Sequence, residues 1–263
     1  MTSFKEHYGP WCVIAGGSDG IGAAFAHEVA ARGINLILIA RKAGNLDELS
    51  AQLRIAHPDV EVRTLSQDLG REDAIGRIKE VAADVEVGCL IYNVGAEPNY
   101  GDFLDHDWDM LRGRLQRNFL VKAALVHHFG RQMRARKRGG MILMGSVSGF
   151  SGSPGFALYA SSKAFTHNLS EGLWYEFKKD NVHLLCPIVG ATNTPTMINA
   201  YGPIEGHATD PAFIAKGALE RIGKGPIWVA DDIVKGVTAL SAMAPADRAT
   251  LTAQRAADFA KKK

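Results

Sequence analysis

Short apolar runs alternate along this chain with longer stretches at helical spacing, and this alternation constrains the fold more than any other feature. Seven short runs are mostly apolar on both faces and are bounded by glycine or charged residues, which predicts strands at 11–15, 36–39, 60–65, 89–92, 141–144, 182–186 and 227–229. Since strands that are apolar on both faces are buried on both faces, the pattern favours a parallel sheet covered by helices.

Six segments between these runs carry apolar residues at i, i+3 and i+4, which predicts helices near 21–32, 45–56, 71–82, 108–137, 157–179 and 231–243. Repeated βα units with right-handed crossovers give an open, doubly wound α/β sheet of about seven strands with helices on both faces. Ligands bind such sheets beyond the carboxyl ends of the strands, so we expect the functional residues there.

No repeat of fixed period and no flexible linker divides the 263 residues, so we predict a single domain over 1–263. The segment near 190–226 follows the sixth strand and is punctuated by proline and glycine, which is typical of a functional loop. We therefore predict a substrate lid near 190–226. The residues near 245–263 form a predicted helical extension at the C-terminus.

Composition excludes several classes of protein. A formal net charge of +2 lacks the excess of cations that nucleic-acid binding needs. No apolar segment approaches the roughly 20 residues of a membrane span. Three cysteines, Cys12, Cys89 and Cys186, lie inside predicted strands without paired spacing, which predicts buried thiols and a cytoplasmic protein. The histidines lack acidic or thiol partners at metal-ligand spacing, so we expect no metal.

A glycine-rich turn connects the first predicted strand to a helix. Gly16 allows the tight turn, Gly20 lets the backbone approach a pyrophosphate, and Gly22 permits close packing of helix on strand. The helix N-terminus adds N–H groups and a positive dipole. Because the turn follows the first strand, the sequence predicts a dinucleotide site formed by Gly16, Ser18, Asp19, Gly20, Ile21 and Gly22.

Two basic residues, Arg41 and Lys42, end the second predicted strand, where a carboxylate would otherwise accept hydrogen bonds from an adenosine ribose. Cations at this point pair with a 2′-phosphate, whereas a carboxylate would repel one. The sequence therefore favours NADP(H) over NAD(H).

Tyr159 and Lys163 lie four residues apart on one face of a predicted helix, a pair suited to acid–base chemistry. A free tyrosine has a pKa near ~10, and a nearby ammonium or oxidised nicotinamide favours the phenolate. Proton exchange with a hydroxyl or carbonyl oxygen then becomes feasible.

Ser146, at the end of the fifth strand, is placed to hydrogen-bond the same oxygen, although alternation along a strand leaves Ser148 as an alternative. The amide of Asn118 could hold a water that links Lys163 to solvent.

Together these motifs resemble the short-chain dehydrogenase/reductase family over essentially the whole chain. The matching segments are the glycine turn 16–22, Asp68-Leu69, Asn93-Val94-Gly95, Asn118, Ser146, Tyr159-x-x-x-Lys163, and Pro187 with 190–194. Tyr92 and Val94 depart from the family pattern, which has Asn and Ala there. The resemblance implies a Rossmann-type enzyme that transfers hydride between NADP(H) and a secondary alcohol or ketone, and that assembles as a homodimer or homotetramer through the helices at 108–137 and 157–179.

The resemblance also implies further cofactor contacts. Asp68 would meet the adenine and Asn93 the adenosine side of the cofactor, with the neighbouring Leu69 and Gly95 in the same site. Lys163 would hold the nicotinamide ribose. The carboxamide would be reached by Thr192 or Thr194, assisted by backbone at Val189.

Three short segments, 8–11, 33–35 and 41–42, are similar to bacterial NADP-dependent hydroxysteroid dehydrogenases, including those acting at the 7β position. This similarity implies a hydrophobic substrate. Apolar residues near the lid could line a pocket for a flat ketone or equally pack the lid itself: Phe150, Phe156, Met197, Ile198 and Tyr201. Two alternatives stay open: a β-ketoacyl thioester or other carbonyl reductase, with entrance cations at Lys216, Arg221 and Lys224, and a dinucleotide-binding sensor without turnover.

Overall fold

Seven parallel strands form one sheet in the order β3-β2-β1-β4-β5-β6-β7 in the computed structural model, which describes residues 3–96, 100–202, 208–231 and 233–260. The strands are β1 (Trp11–Ala15), β2 (Asn35–Ala40), β3 (Val62–Ser66), β4 (Val87–Tyr92), β5 (Gly140–Leu143), β6 (His183–Ile188) and β7 (Ile227–Val229). The predicted doubly wound α/β fold is confirmed, and the strand bounds differ from prediction by one or two residues.

Helices connect the strands and cover both faces of the sheet. They are α1 (Phe4–Tyr8), α2 (Gly20–Ala30), α3 (Ala43–Ala56), α4 (Ala74–Val81), α5 (Trp108–Leu115), α6 (Lys122–Arg136), α7 (Ala157–Lys178), α8 (Pro195–Tyr201), α9 (Pro211–Arg221), α10 (Val234–Ala242) and α11 (Pro245–Ala260). The predicted lid segment contains α8 and α9, with 203–207 outside the described residues. The predicted C-terminal extension contains α11, and 261–263 likewise lie outside.

The predicted helix 108–137 is interrupted by a π-helical segment. Residues Gln116–Val121 connect α5 to α6 with i→i+5 geometry. Sequence periodicity did not predict this segment, because the apolar spacing is helical on both sides of it. Such π-bulges occur frequently at functional sites, and this one carries Asn118.

The core consists of two apolar layers, one on each face of the sheet. All five residues of β1 are buried. Because alternate side chains point to opposite faces, Ile14 packs in the layer with Phe25, whereas Val13 packs in the layer with Phe129. Cys12, Cys89 and Cys186 are buried free thiols, as predicted.

The direction of chain winding reverses at β1. This strand lies between β2 and β4, so the connections that follow β1 and β4 leave toward opposite faces and open a crevice at their carboxyl ends. The fold thus positions the candidate site there. No helix within the described parts of the chain has the length and apolar character to cross a bilayer.

Candidate active site

A cleft of about 700 Å³ opens at the carboxyl edge of the sheet. It is lined by loops that follow six of the strands. Most of the residues predicted from sequence contribute to its wall: Gly16, Ser18, Asp19, Ile21, Arg41, Lys42, Leu69, Asn93, Gly95, Ser146, Tyr159, Lys163, Val189, Thr192 and Thr194. The structure therefore brings together residues that are up to 178 positions apart in the chain, from Gly16 to Thr194.

The glycine turn is built around backbone contacts that exclude side chains. Gly16 has φ +80°, and its carbonyl oxygen accepts a hydrogen bond from Asn93 Nδ2 at 3.2 Å. A Cβ at Gly22 would lie 1.8 Å from that same oxygen, so only glycine lets α2 start this close to β1. Gly20, at φ +51°, faces Thr194, whose Cγ2 would lie 2.7 Å from an added Cβ.

Arg41 and Lys42 form the exposed rim of the cleft, where β2 ends and α3 begins. The Arg41 carbonyl accepts a hydrogen bond from Ser66 Oγ at 3.2 Å, which fixes the backbone while the guanidinium faces solvent. Within the described ranges, neither cation forms an ion pair with a protein carboxylate. Asn45, in the first turn of α3, also lines this end of the cleft and was missed from sequence.

After β3 the structure brings Gln67 to the cleft beside Leu69. The carboxylate of Asp68 instead accepts a hydrogen bond from the Gly70 N–H at 2.8 Å. Gln67 is buried, and its amide is fixed by Arg77, which donates to Oε1 at 2.6 Å. Strand alternation could have found Gln67, because it lies two residues after the buried Leu65 and so faces the same side.

Ser146 and Ser148 both line the cleft but differ in their surroundings. Ser146 is buried, and its Oγ accepts a hydrogen bond from the Ser148 N–H at 3.2 Å, which caps the 3₁₀ turn Val147–Phe150. Since that bond uses an acceptor site on Oγ, the hydroxyl proton stays available for another acceptor. The Ser146 N–H donates to His167 Nε2 at 3.4 Å.

Tyr159 and Lys163 occupy the first two turns of α7. The Lys163 Nζ lies 5.5 Å from the centroid of the Tyr159 ring and donates to the Met144 carbonyl at 3.0 Å. Lys163 is 6% exposed, whereas Tyr159 is half-buried at the cleft wall. The pair thus presents a phenol beside an anchored ammonium.

Asn118 lies behind the cleft wall on the π-helical segment. Its Oδ1 accepts a hydrogen bond from Arg117 Nε at 3.3 Å. Gly95, with φ +124°, lies between Asn118 and Lys163: a Cβ there would be 3.2 Å from Asn118 Oδ1 and 3.9 Å from Lys163 Nζ. The glycine therefore keeps the space between amide and ammonium clear.

Two buried groups that the sequence did not single out lie behind this wall. Lys122 is 2% exposed and donates to Thr166 Oγ1 at 2.5 Å. Burial, and then the charge of Lys163, lower the pKa of Lys122 to about 7. Burial and the charges of Lys163 and Lys122 lower the pKa of His167 to about 4. His167 is therefore a neutral acceptor near neutral pH.

The wall beside Tyr159 is aromatic. The Phe156 ring lies 6.4 Å from the ring of Tyr159 and 5.3 Å from that of Tyr100. Of the five apolar residues predicted near the lid, Phe156 and Met197 line the cleft. Phe150 instead packs beside Cys186, Ile188 and Val237. The side chain of Tyr201 lies outside the described residues.

The part of the cleft formed by the loop after β6 contains both candidate threonines. The Thr194 Oγ1 accepts a hydrogen bond from the Met197 N–H at 3.3 Å and caps α8. Thr192 is buried, and its Oγ1 donates to the Gly190 carbonyl at 3.4 Å. Val189 precedes them, and its carbonyl accepts a hydrogen bond from the Val147 N–H. Thr192 and Thr194 are therefore both candidates for the predicted contact with the nicotinamide carboxamide.

Comparison with known proteins gives relatives that include the following two enzymes. A 7β-hydroxysteroid dehydrogenase of Clostridium sardiniense is 31% identical over 234 residues, covering 88% of this chain and 89% of that protein. A very-long-chain 3-oxoacyl-CoA reductase-like protein of Arabidopsis thaliana is 30% identical over 237 residues, covering 85% of this chain and 74% of that protein.

Solved structures share the fold. A 7β-hydroxysteroid dehydrogenase structure superposes with a TM-score of 0.89 at 23% identity, covering 95% of this chain and 99% of the other. A short-chain dehydrogenase of Sphingobium yanoikuyae in complex with NADPH superposes with a TM-score of 0.77 at 26% identity, covering 90% and 97%. The sequence profile of the family described as short chain dehydrogenase matches residues 10–202. The chain therefore belongs to the short-chain dehydrogenase/reductase family of oxidoreductases.

Proposed function

We propose that this protein is an NADP(H)-dependent oxidoreductase that interconverts a secondary alcohol and a ketone on a hydrophobic substrate, with hydroxysteroids as the favoured class. The observation that carries the proposal is the convergence of Ser146, Tyr159 and Lys163 on one wall of a dinucleotide-sized cleft. When bound, the nicotinamide accepts or supplies the hydride. The protein's own residues bind the cofactor, orient the substrate and move the proton.

The Tyr159 phenol gives its proton to the substrate oxygen in ketone reduction and takes it back in alcohol oxidation. The Ser146 hydroxyl donates a hydrogen bond to the same oxygen and so polarises the bond between that oxygen and carbon. Lys163, whose ammonium is anchored on the Met144 carbonyl, would hold the nicotinamide ribose. The Asn118 amide would hold a water that links Lys163 to solvent and so complete a path for the proton.

The residues of the cleft fit an NADP(H) molecule along its length. The glycine turn and the N-terminus of α2 would hold the pyrophosphate. Arg41 and Lys42 would bind the 2′-phosphate, since no protein carboxylate within the described ranges neutralises them. Gln67 and Leu69, which line the cleft, would contact the adenine, whereas the Asp68 carboxylate is bonded to the Gly70 N–H. Asn93 and Gly95 would contact the adenosine side. Lys163, Val189 and one of Thr192 and Thr194 would hold the nicotinamide end.

A hydrophobic substrate is supported by Phe156, which lines the cleft with the Tyr100 ring packed 5.3 Å from its own ring, and by the relatives named as 7β-hydroxysteroid dehydrogenases. A reductase of long-chain 3-oxoacyl thioesters is the second candidate, because relatives of that name also match. The three cations predicted at its entrance lend it no support: the Arg221 guanidinium lies 4.9 Å from the Trp228 ring centroid, and the described lining of the cleft includes none of Arg221, Lys216 and Lys224.

The exposed apolar side chains of Trp108, Leu120 and Tyr175, on the two long helical segments, support assembly as a homodimer or homotetramer. The free thiols of Cys12, Cys89 and Cys186 fit a cytoplasmic protein. A monomeric mass in solution by light scattering would refute the oligomer.

Steady-state reduction and oxidation with NADPH and NADP⁺ test the function over hydroxysteroids, bile-acid ketones, aliphatic ketones and a β-ketoacyl thioester. We expect turnover on steroids that falls by about 10³-fold in Tyr159→Phe, with NADPH binding retained. Turnover only on the thioester would select the second candidate. NADPH binding with no turnover on any substrate would select a dinucleotide-binding sensor instead.

A further inference from the structure

His167 lies directly behind the turn that carries Ser146. It is 7% exposed and occupies the inward face of α7, one turn after Lys163. Its Nε2 accepts the Ser146 N–H at 3.4 Å. The backbone of Ser146 is therefore joined to a helix that belongs to the cleft wall itself.

The turn at 145–149 packs closely against the imidazole ring of His167. A Cβ at Gly145 would lie 3.0 Å from Nε2, and one at Gly149 would lie 2.3 Å from Cε1. The Phe150 ring packs 4.9 Å from the imidazole. The ring therefore leaves no room for a side chain at Gly149. At Gly145, Cys186 Sγ and Ile188 Cδ1 would each lie 2.7 Å from an added Cβ and exclude a side chain together with the ring.

The charges around the ring fix its protonation state. Lys163 on the same helix and Lys122 on α6 are the cations that face it, and Cys186 on β6 faces the adjoining Gly145 with a thiol. Burial and the two ammonium groups hold the pKa of His167 well below neutrality. Because Nε2 accepts a hydrogen bond, the single ring proton is assigned to Nδ1.

Ser146 is thus held at two points. Its N–H is bound by His167, and its Oγ accepts the N–H of Ser148. These bonds leave the hydroxyl proton free to be donated toward the cleft. We propose that His167 is a positioning residue that fixes the place of the Ser146 hydroxyl; this inference rests on the proposed function, in which that hydroxyl polarises the substrate oxygen.

The test is a double-mutant cycle on ketone reduction. His167→Leu removes the acceptor, His167→Gln restores one, and each is made with Ser146 and with Ser146→Ala. The control is His127→Leu, an exposed histidine on α6. We expect His167→Leu to lower kcat about tenfold with the Kd for NADPH unchanged, and His167→Gln to recover most of that loss. In the Ser146→Ala background the same change should cost less than about twofold.

Equal losses from His167→Leu in both backgrounds, or a kcat equal to that of the His127 control, would overturn the inference while leaving the proposed function intact. A wild-type protein that reduces no ketone would remove the proposed function and this inference with it. If His167→Leu does not fold, ¹⁵N NMR of histidine in the wild-type protein decides the matter. A neutral Nδ1–H tautomer down to about pH 5 supports the inference, and a protonated ring or an Nε2–H tautomer overturns it.

Discussion

Replacing Lys122 by methionine should stabilise the protein, and the gain should shrink as the pH rises. Lys122 is 2% exposed, and its ammonium is hydrogen-bonded to Thr166 and forms no ion pair with a carboxylate in the described part of the chain. Its Nζ lies 5.5 Å from the Tyr92 ring centroid and 5.8 Å from that of Phe165, contacts that offset only part of the lost hydration. Methionine keeps a similar volume and removes the charge.

The magnitude follows from the pKa of Lys122, which is 10.5 ordinarily and about 7 in the folded protein. Between these values the unfolded chain binds more protons than the folded one, so wild-type stability rises with pH across this window. Below pH ~7 Lys122 is charged in both the folded and the unfolded chain, and burial of the charged ammonium then lowers the free energy of unfolding by its full amount. The gain from Lys122→Met should therefore be about 5 kcal/mol near pH 6 and about 2 kcal/mol near pH 9, as an order of magnitude.

Urea unfolding followed by tryptophan fluorescence measures this difference at several pH values for the cofactor-free protein. Lys179→Met, which removes an exposed lysine at the end of α7, is the matched control and should change the free energy of unfolding by less than about 0.5 kcal/mol at every pH. A gain that does not vary with pH would refute the reasoning, and so would a loss of stability in Lys122→Met at every pH.

Three further outcomes are expected at the cleft. Arg41→Ala should raise the Kd for NADPH about tenfold and leave that for NADH unchanged, as measured by fluorescence titration. Ser146→Ala should lower kcat about 10²-fold while Ser148→Ala changes it less than about threefold, and the reverse order in steady-state assays would exchange their roles. Gly155→Ala places a Cβ 2.1 Å from the Tyr100 ring at a backbone with φ +73°, so KM for a steroid should rise about tenfold with NADPH binding intact.

The strands could be predicted from sequence because a strand that is buried on both faces has apolar residues at successive positions, as in β1 and β2. The side chains at the strand ends were harder to assign. Gln67 rather than Asp68 faces the cleft: alternation from the buried Leu65 favours Gln67, and the Asp68 carboxylate accepts the Gly70 N–H in the loop after β3.

Contacts between residues that are far apart in the chain could not be predicted from the sequence. Phe150 and Phe156 are equivalent as apolar residues, yet one packs on His167 and the other lines the cleft. The burial of Lys122 follows from its position on the inward side of α6, against Thr166 of α7. Helical periodicity alone places a lysine at the surface, because a charge is ordinarily solvated.

The π-helical segment Gln116–Val121 has a consequence for how α5 and α6 can change relative to one another. A π-turn holds one residue more than an α-turn, so it resets the rotational phase between the two helices by roughly 100°. Deleting a single residue between Asn118 and α6 would remove this offset. Because α6 is held by its packing on the sheet, Asn118 and the residues before it would then rotate away from Lys163.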